Sequence, residues 1–169
     1  MPHRIGNINN IEKFDYDFFN IPVTDAHTMD PAARLLLEHT YEAIIDAGVN
    51  PKKLRGTSIG VFTAICVTDT ENYLTYSKPH IAGQPLLGCN KAVMANRISC
   101  WLGVTGPSYN IDTACSSSHF AMNEAYRQIR SGRCDAAIVA GANLCLHPHT
   151  HFGFYTLVML LKIEARSYF

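Results

Sequence analysis

Cys115 stands in the run Asp112-Thr113-Ala114-Cys115-Ser116-Ser117-Ser118, where a short strand pattern gives way to a helical one. The first amides of a helix point outward without partners, and its dipole places about half a positive charge there. The anionic form of a sulfur set at that point is favoured, and the thiolate is the nucleophilic form. The same amides, that of Cys115 included, can hold the oxyanion formed when sulfur attacks a thioester carbonyl. Small neighbours leave room for a substrate. A free cysteine is also among the most commonly buried side chains, so the residues alone leave two readings open, core thiol or nucleophile.

The elements that would position this sulfur are legible. Asp30 is a good N-cap and Pro31 suits the first helical position, with Leu37, Tyr41 and Ile44 at helical spacing and Gly48 as the stop. This predicts a helix over 31–47. Residues 58–65 read as a mostly buried strand. Pro79, Gly83 and Pro85 mark a loop or short helices. Val93, Met94, Ile98 and Trp101 predict a helix over 89–102, and 108–111 a short strand after the Gly106-Pro107 turn. Met122, Ala125 and Ile129 predict one face of a helix over 116–131, ended by Gly132. Residues 135–142 read as a buried strand that 144–146 would extend. Strands alternating with helices imply an α/β layered fold with a largely parallel sheet.

Composition narrows the class. The chain has 169 residues, 47% hydrophobic and 17% charged, which suits a globular domain with a real core. Fourteen basic residues balance fourteen acidic ones, without a basic stripe, which argues against nucleic acid or an anionic membrane as partner. The six cysteines include no CxxC pair, and Met1-Pro2-His3-Arg4 leads into polar sequence rather than a signal segment. Reduced thiols in a cytoplasmic protein are expected. The apolar run Phe152 to Leu161 is too short to span a bilayer, which takes about 20 residues, and is expected to be a buried strand or helix.

Three other groups invite chemistry. His147, His149 and His151 would share a face on a strand, but Pro148 and the lack of nearby cysteines or carboxylates argue against a metal site. Cys89 and Cys100 lie eleven apart on the expected 89–102 helix and read as core packing. His119 reads as a solvent-facing residue of the first helical turn.

The 112–118 run also resembles the nucleophile motif of the β-ketoacyl synthases. Other stretches are similar to that family in the same order. They are Phe14-Asp15 with Phe18-Phe19, Met29-Asp30-Pro31, Leu36-Leu37-Glu38 with Tyr41-Glu42-Ala43, and Leu54-Arg55-Gly56 with Gly60-Val61-Phe62. Downstream come Ala95-Asn96-Arg97-Ile98-Ser99, Gly106-Pro107-Ser108 and Ala140-Gly141. The resemblance covers residues 5 to about 152, is nearest in flavour to animal type I fatty acid synthase, and leaves 153–169 divergent, without the family's serine and glycine after Met159-Leu160.

That resemblance implies a thiolase-like fold of which this chain is the amino-terminal half, 1–169 being a partial ketosynthase domain. It implies that Cys115 takes an acyl group from an acyl carrier protein, and that a malonyl thioester then loses carbon dioxide and attacks the acyl carbonyl. Phosphopantetheine would belong to the carrier protein, and no cofactor or metal would be bound directly. The full-length enzyme would be a homodimer paired through the strand at 108–111. The family's two further histidines match none of the eight here, and a strand that precedes the region matching residue 5 has no counterpart, so the chain alone is expected to be inactive in condensation. An alternative is a non-catalytic module that binds or dimerises with a full-length synthase; a cysteine hydrolase is a weaker one, since no residue pattern delivers a histidine to Cys115.

Overall fold

The computed structural model describes residues 6–77 and 83–157. Three strands form one parallel sheet in the order β2-β1-β3, with β1 at Ile59–Ile65, β2 at Ser108–Asn110 and β3 at Ala136–Ala142. Phe62 stands opposite Tyr109 on one side and Val139 on the other. The central strand β1 is buried throughout, which explains why its sequence is a continuous apolar run rather than an alternating one.

Alternate residues of β1 serve different layers. Val61 and Ile65 pack with Leu37 and Ile44 of α2 (Pro31–Asp46) and Met94, Ala95 and Ile98 of α5 (Lys91–Leu102). Phe62 and Ala64 pack with Ala121 and Ala125 of α6 (Ser117–Arg130) on the opposite face. The cap of α2 forms as expected, with the Ala32 amide donating to Asp30 Oδ1 at 2.7 Å. Upstream, Phe14 and Phe19 stack at 5.2 Å, and Phe18, Tyr41 and Trp101 complete an aromatic cluster that pins the first segment to α2 and α5. The chain passes so close to the start of β1 at Gly106 that a Cβ there would lie 2.3 Å from the Ile59 carbonyl oxygen.

Several expectations need correction. β3 is partly exposed along its length rather than buried, with Ala136 and Gly141 open to solvent. The 89–102 segment is two helices, α4 (Pro85–Cys89) and α5, separated by an extended Asn90 whose side chain caps the Ala92 amide at 2.8 Å. Cys89 is therefore buried in α4, as core packing requires, while Cys100 is exposed on α5 and is not a core residue. On α6 the inward face is Ser117, Ala121, Ala125 and Gln128, while Met122 and Ile129 are exposed; small residues let the helix approach the sheet closely. Residues 144–146 do not extend β3, because the Leu146 and His147 amides turn to Asp69 Oδ2, at 2.9 and 3.0 Å. Asp69 opens α3 (Asp69–Ser77). Finally, the described part of the 152–161 run lies in α7 (Pro148–Thr156) and is not buried, Phe152 and Leu157 being exposed; residues 158–161 lie outside the described residues. His147, His149 and His151 stand at the start of this helix, not on a strand.

Among the described residues no helix is long and apolar enough to cross a membrane, and no group of three His, Cys, Asp or Glu side chains is placed to hold a metal ion.

Candidate active site

The loop that carries Cys115 joins β2 to α6 through one backbone reversal. Ala114 adopts φ +54°, a left-handed conformation that costs a residue with a Cβ about 1–2 kcal/mol. Such strain persists only where surrounding contacts over-determine it. Here the Ala114 amide donates to Asp112 Oδ1 at 3.2 Å. Its carbonyl accepts from the Ser117 amide at 3.1 Å, the Ser117 hydroxyl at 2.6 Å and the Cys66 thiol at 3.2 Å. The buried Ser117 hydroxyl also accepts from the Thr113 amide at 2.8 Å. The turn is closed from inside by a serine and from outside by β1, whose carboxyl end carries Cys66.

Lys91, the first residue of α5, ties the same region together. Its ammonium donates to the Cys66 carbonyl and to Asp112 Oδ2, both at 2.8 Å. Lys91 holds the Asp112 carboxyl below the usual carboxylate range, with smaller help from the Ala114 amide and the Cys66 thiol. The ion pair is part-exposed and contributes under about 1 kcal/mol to stability; its use is geometric.

The strained turn sets Cys115 just ahead of the Ser116 cap of α6, and Cys115 is exposed. The core-thiol reading therefore does not hold. Among the described residues nothing accepts from the Cys115 amide, which leaves that donor free for a ligand oxygen. Cys115 lines a cavity of about 530 Å³ with Cys66, Val67, Ser118, Gly141 and Phe154. The cavity lies outside the carboxyl ends of β1 and β3, where open α/β sheets place their ligands. A larger cavity of about 900 Å³, lined by Phe18, Tyr41, Lys52, Arg55 and Trp101, contains no thiol and shares no lining residue with this one; chemistry, rather than size, singles out the one at Cys115.

No other thiol matches this setting. Burial, and then the nearby Asp30 and Glu71 carboxylates, push the Cys89 thiol up to about 12, so it stays protonated. Burial and Asp69 raise the Cys145 thiol as well. His119 is exposed on α6, and among the described residues no histidine lines the cavity with Cys115. Cys66, Lys91 and Phe154 are not marked in the sequence as parts of the site. Asp112 does carry a local signal, being an Asx side chain two residues before the turn position at Ala114.

A family model, that of the N-terminal domain of β-ketoacyl synthase, matches residues 2–167. The chain belongs to the β-ketoacyl synthase family. It is 47% identical over 160 residues to a fatty acid synthase of the goose Anser anser anser, covering 95% of this chain and 46% of that protein. It is 43% identical over 154 residues to the polyketide synthase component of lovastatin nonaketide synthase from Aspergillus terreus, covering 91% of this chain and 5% of the relative.

The fold is that of the ketosynthases, which is thiolase-like. The ketosynthase from module 6 of the bacillaene synthase of Bacillus subtilis 168 superposes with a TM-score of 0.79 at 35% identity, over 92% of this chain and 26% of that one. An oxazolomycin ketosynthase domain of Streptomyces albus JA3453 (OzmH KS7) does so with a TM-score of 0.79 at 29% identity, over 88% and 26%. The chain thus spans about half the length of the goose relative and about a quarter of these solved ketosynthases.

Proposed function

We propose that this chain carries the acyl-accepting part of a ketosynthase, with Cys115 as the nucleophile that receives an acyl group from an acyl carrier protein. The observation that supports this best is the turn itself: backbone strain at Ala114, held by four hydrogen bonds on that residue, presents an exposed sulfur beside a free amide. The Cys115 sulfur attacks the thioester carbonyl, and the Cys115 amide donates to the oxygen as it becomes an anion. Collapse breaks the carrier's carbon–sulfur bond, leaving the acyl group on Cys115 and the proton on the departing thiol. Covalent capture divides one difficult condensation into two easier steps. The phosphopantetheine arm of the carrier protein supplies the thiol to which the incoming acyl group is attached. Ala64, Val67, Gly141, Ala142 and Phe154 give the cavity walls that suit an aliphatic chain.

Decarboxylation of a malonyl thioester and attack on the acyl-Cys115 carbonyl would complete the reaction of fatty acid synthesis. That second half needs donors for the developing enolate, each typically accounting for about a hundred- to a thousandfold in rate. In the assembled enzyme β2, whose outer edge carries no strand among the described residues, is the surface for a second subunit, and the setting is cytoplasmic.

The test is mass spectrometry after incubation with an acyl-carrier thioester. Acyl mass is expected on Cys115 and absent from Cys115→Ala; equal labelling of another cysteine would sink the assignment.

A further inference from the structure

Building on the reading of Cys115 as nucleophile, we propose that Cys66 is its redox partner, capturing peroxide-oxidised Cys115 as a Cys66–Cys115 disulfide. Both thiols line the one 530 Å³ cavity. The Cys66 sulfur lies 3.2 Å from the Ala114 carbonyl oxygen and 3.1 Å from the Ser117 hydroxyl. Peptide geometry fixes the next Cα, that of Cys115, about 2.8 Å from that oxygen, so the Cys66 sulfur is within about 6 Å of it. That bound runs from sulfur to Cα; a disulfide holds the two Cα atoms about 4.4–6.8 Å apart, which side-chain rotation together with a shift of the loop supplies. Cys115 is exposed and Cys66 partly so, while Cys89 and Cys134 are buried, and neither Cys100 nor Cys145 lines this cavity.

The chemistry balances with hydrogen peroxide as the oxidant. The Cys115 thiolate attacks one peroxide oxygen; a sulfur–oxygen bond forms, the oxygen–oxygen bond breaks, and hydroxide leaves to be protonated to water. Cys66 sulfur then attacks the Cys115 sulfenic acid, forming the sulfur–sulfur bond and expelling the hydroxyl, which departs as water with the Cys66 proton. Two thiols lose two electrons and one peroxide becomes two waters. Without a second thiol in reach, the sulfenic acid is open to further, irreversible oxidation. The disulfide withdraws the acyl-accepting sulfur while oxidant is present, and a dithiol reductant returns it.

The experiment treats the full chain with hydrogen peroxide, alkylates the remaining thiols, and maps peptides without reduction. A Cys66–Cys115 cross-link reversed by dithiothreitol is expected in the wild type. In Cys66→Ser, which keeps a hydroxyl donor for the Ala114 carbonyl, Cys115 is expected to proceed to sulfinic and sulfonic acid. The wild-type map decides by itself should that variant not fold. Over-oxidised Cys115 beside alkylated Cys66 in the wild type, or cross-links to Cys100 or Cys145 in equal yield, overturns the pairing. Acyl transfer to untreated Cys66→Ser is scored separately. Acyl mass on Cys115 without the wild-type disulfide sinks the pairing alone, and the disulfide without acyl mass sinks the nucleophile reading alone.

Discussion

At residue scale the Ala114 turn sets the terms. A single methyl group is tolerated at φ +54°, but a β-branched side chain is a severe misfit there. Ala114→Val is therefore expected to lower stability by about 1–3 kcal/mol, the range for backbone strain at a special conformation. The check is the midpoint of urea unfolding, read alongside the alkylation rate of Cys115, which should fall with it as the turn loses its shape. An unchanged midpoint would mean that Ala114 is not held left-handed in solution. The sequence already displayed the cysteine, its serine-rich flank and its place before a helix. It could not display the strain, because alanine carries no left-handed preference. Nor could it display Cys66, which reaches the turn from 48 residues upstream through a strand pairing that local pattern does not encode.

At element scale the strands were readable because β1 and β3 are apolar runs flanked by turn residues, and α2 because its cap and stop are both explicit. Errors came where one side chain redirected the backbone. Asn90 divides an apolar periodicity that otherwise reads as one helix, and Asp69, far away in sequence, draws 146–147 off the line of β3. Asp69 also accepts from the Thr150 hydroxyl, so one carboxylate joins the start of α3 to the start of α7. Asp69→Ala leaves two amides and a hydroxyl to find water, and α7 contributes Phe154 to the cavity wall. Hydrogen exchange over 146–156 is expected to quicken at least about tenfold, the equivalent of losing one buried hydrogen bond, while exchange in β1 stays slow. Equal quickening in both would show that the carboxylate supports the whole sheet rather than this junction.

At the scale of the molecule, α6 buries alanines against the sheet and exposes Phe120, Met122, Tyr126 and Ile129. That division of labour hid the orientation of the helix from a reading based on hydrophobic spacing, since the large apolar residues occupy the outer side. The cavity at Cys115 contains an exposed thiol and a free amide, yet no described histidine lines it. Carbon dioxide release from a malonyl-carrier thioester by residues 1–169 alone is accordingly expected to stay near background even where Cys115 accepts an acyl group. Vigorous release would place an unrecognised enolate-stabilising donor within this chain.

The contacts on Ala114 and Asp112 have a practical corollary. A synthetic peptide copying 105–132 would include the short strand, the bend, the cysteine and the whole recognition motif. It would lack the thiol and the ammonium that β1 and α5 deliver from elsewhere in the chain. Transplanting the motif into another scaffold thus means transplanting a neighbourhood drawn from three separate stretches of sequence, and a graft limited to the contiguous letters would relax into an ordinary loop.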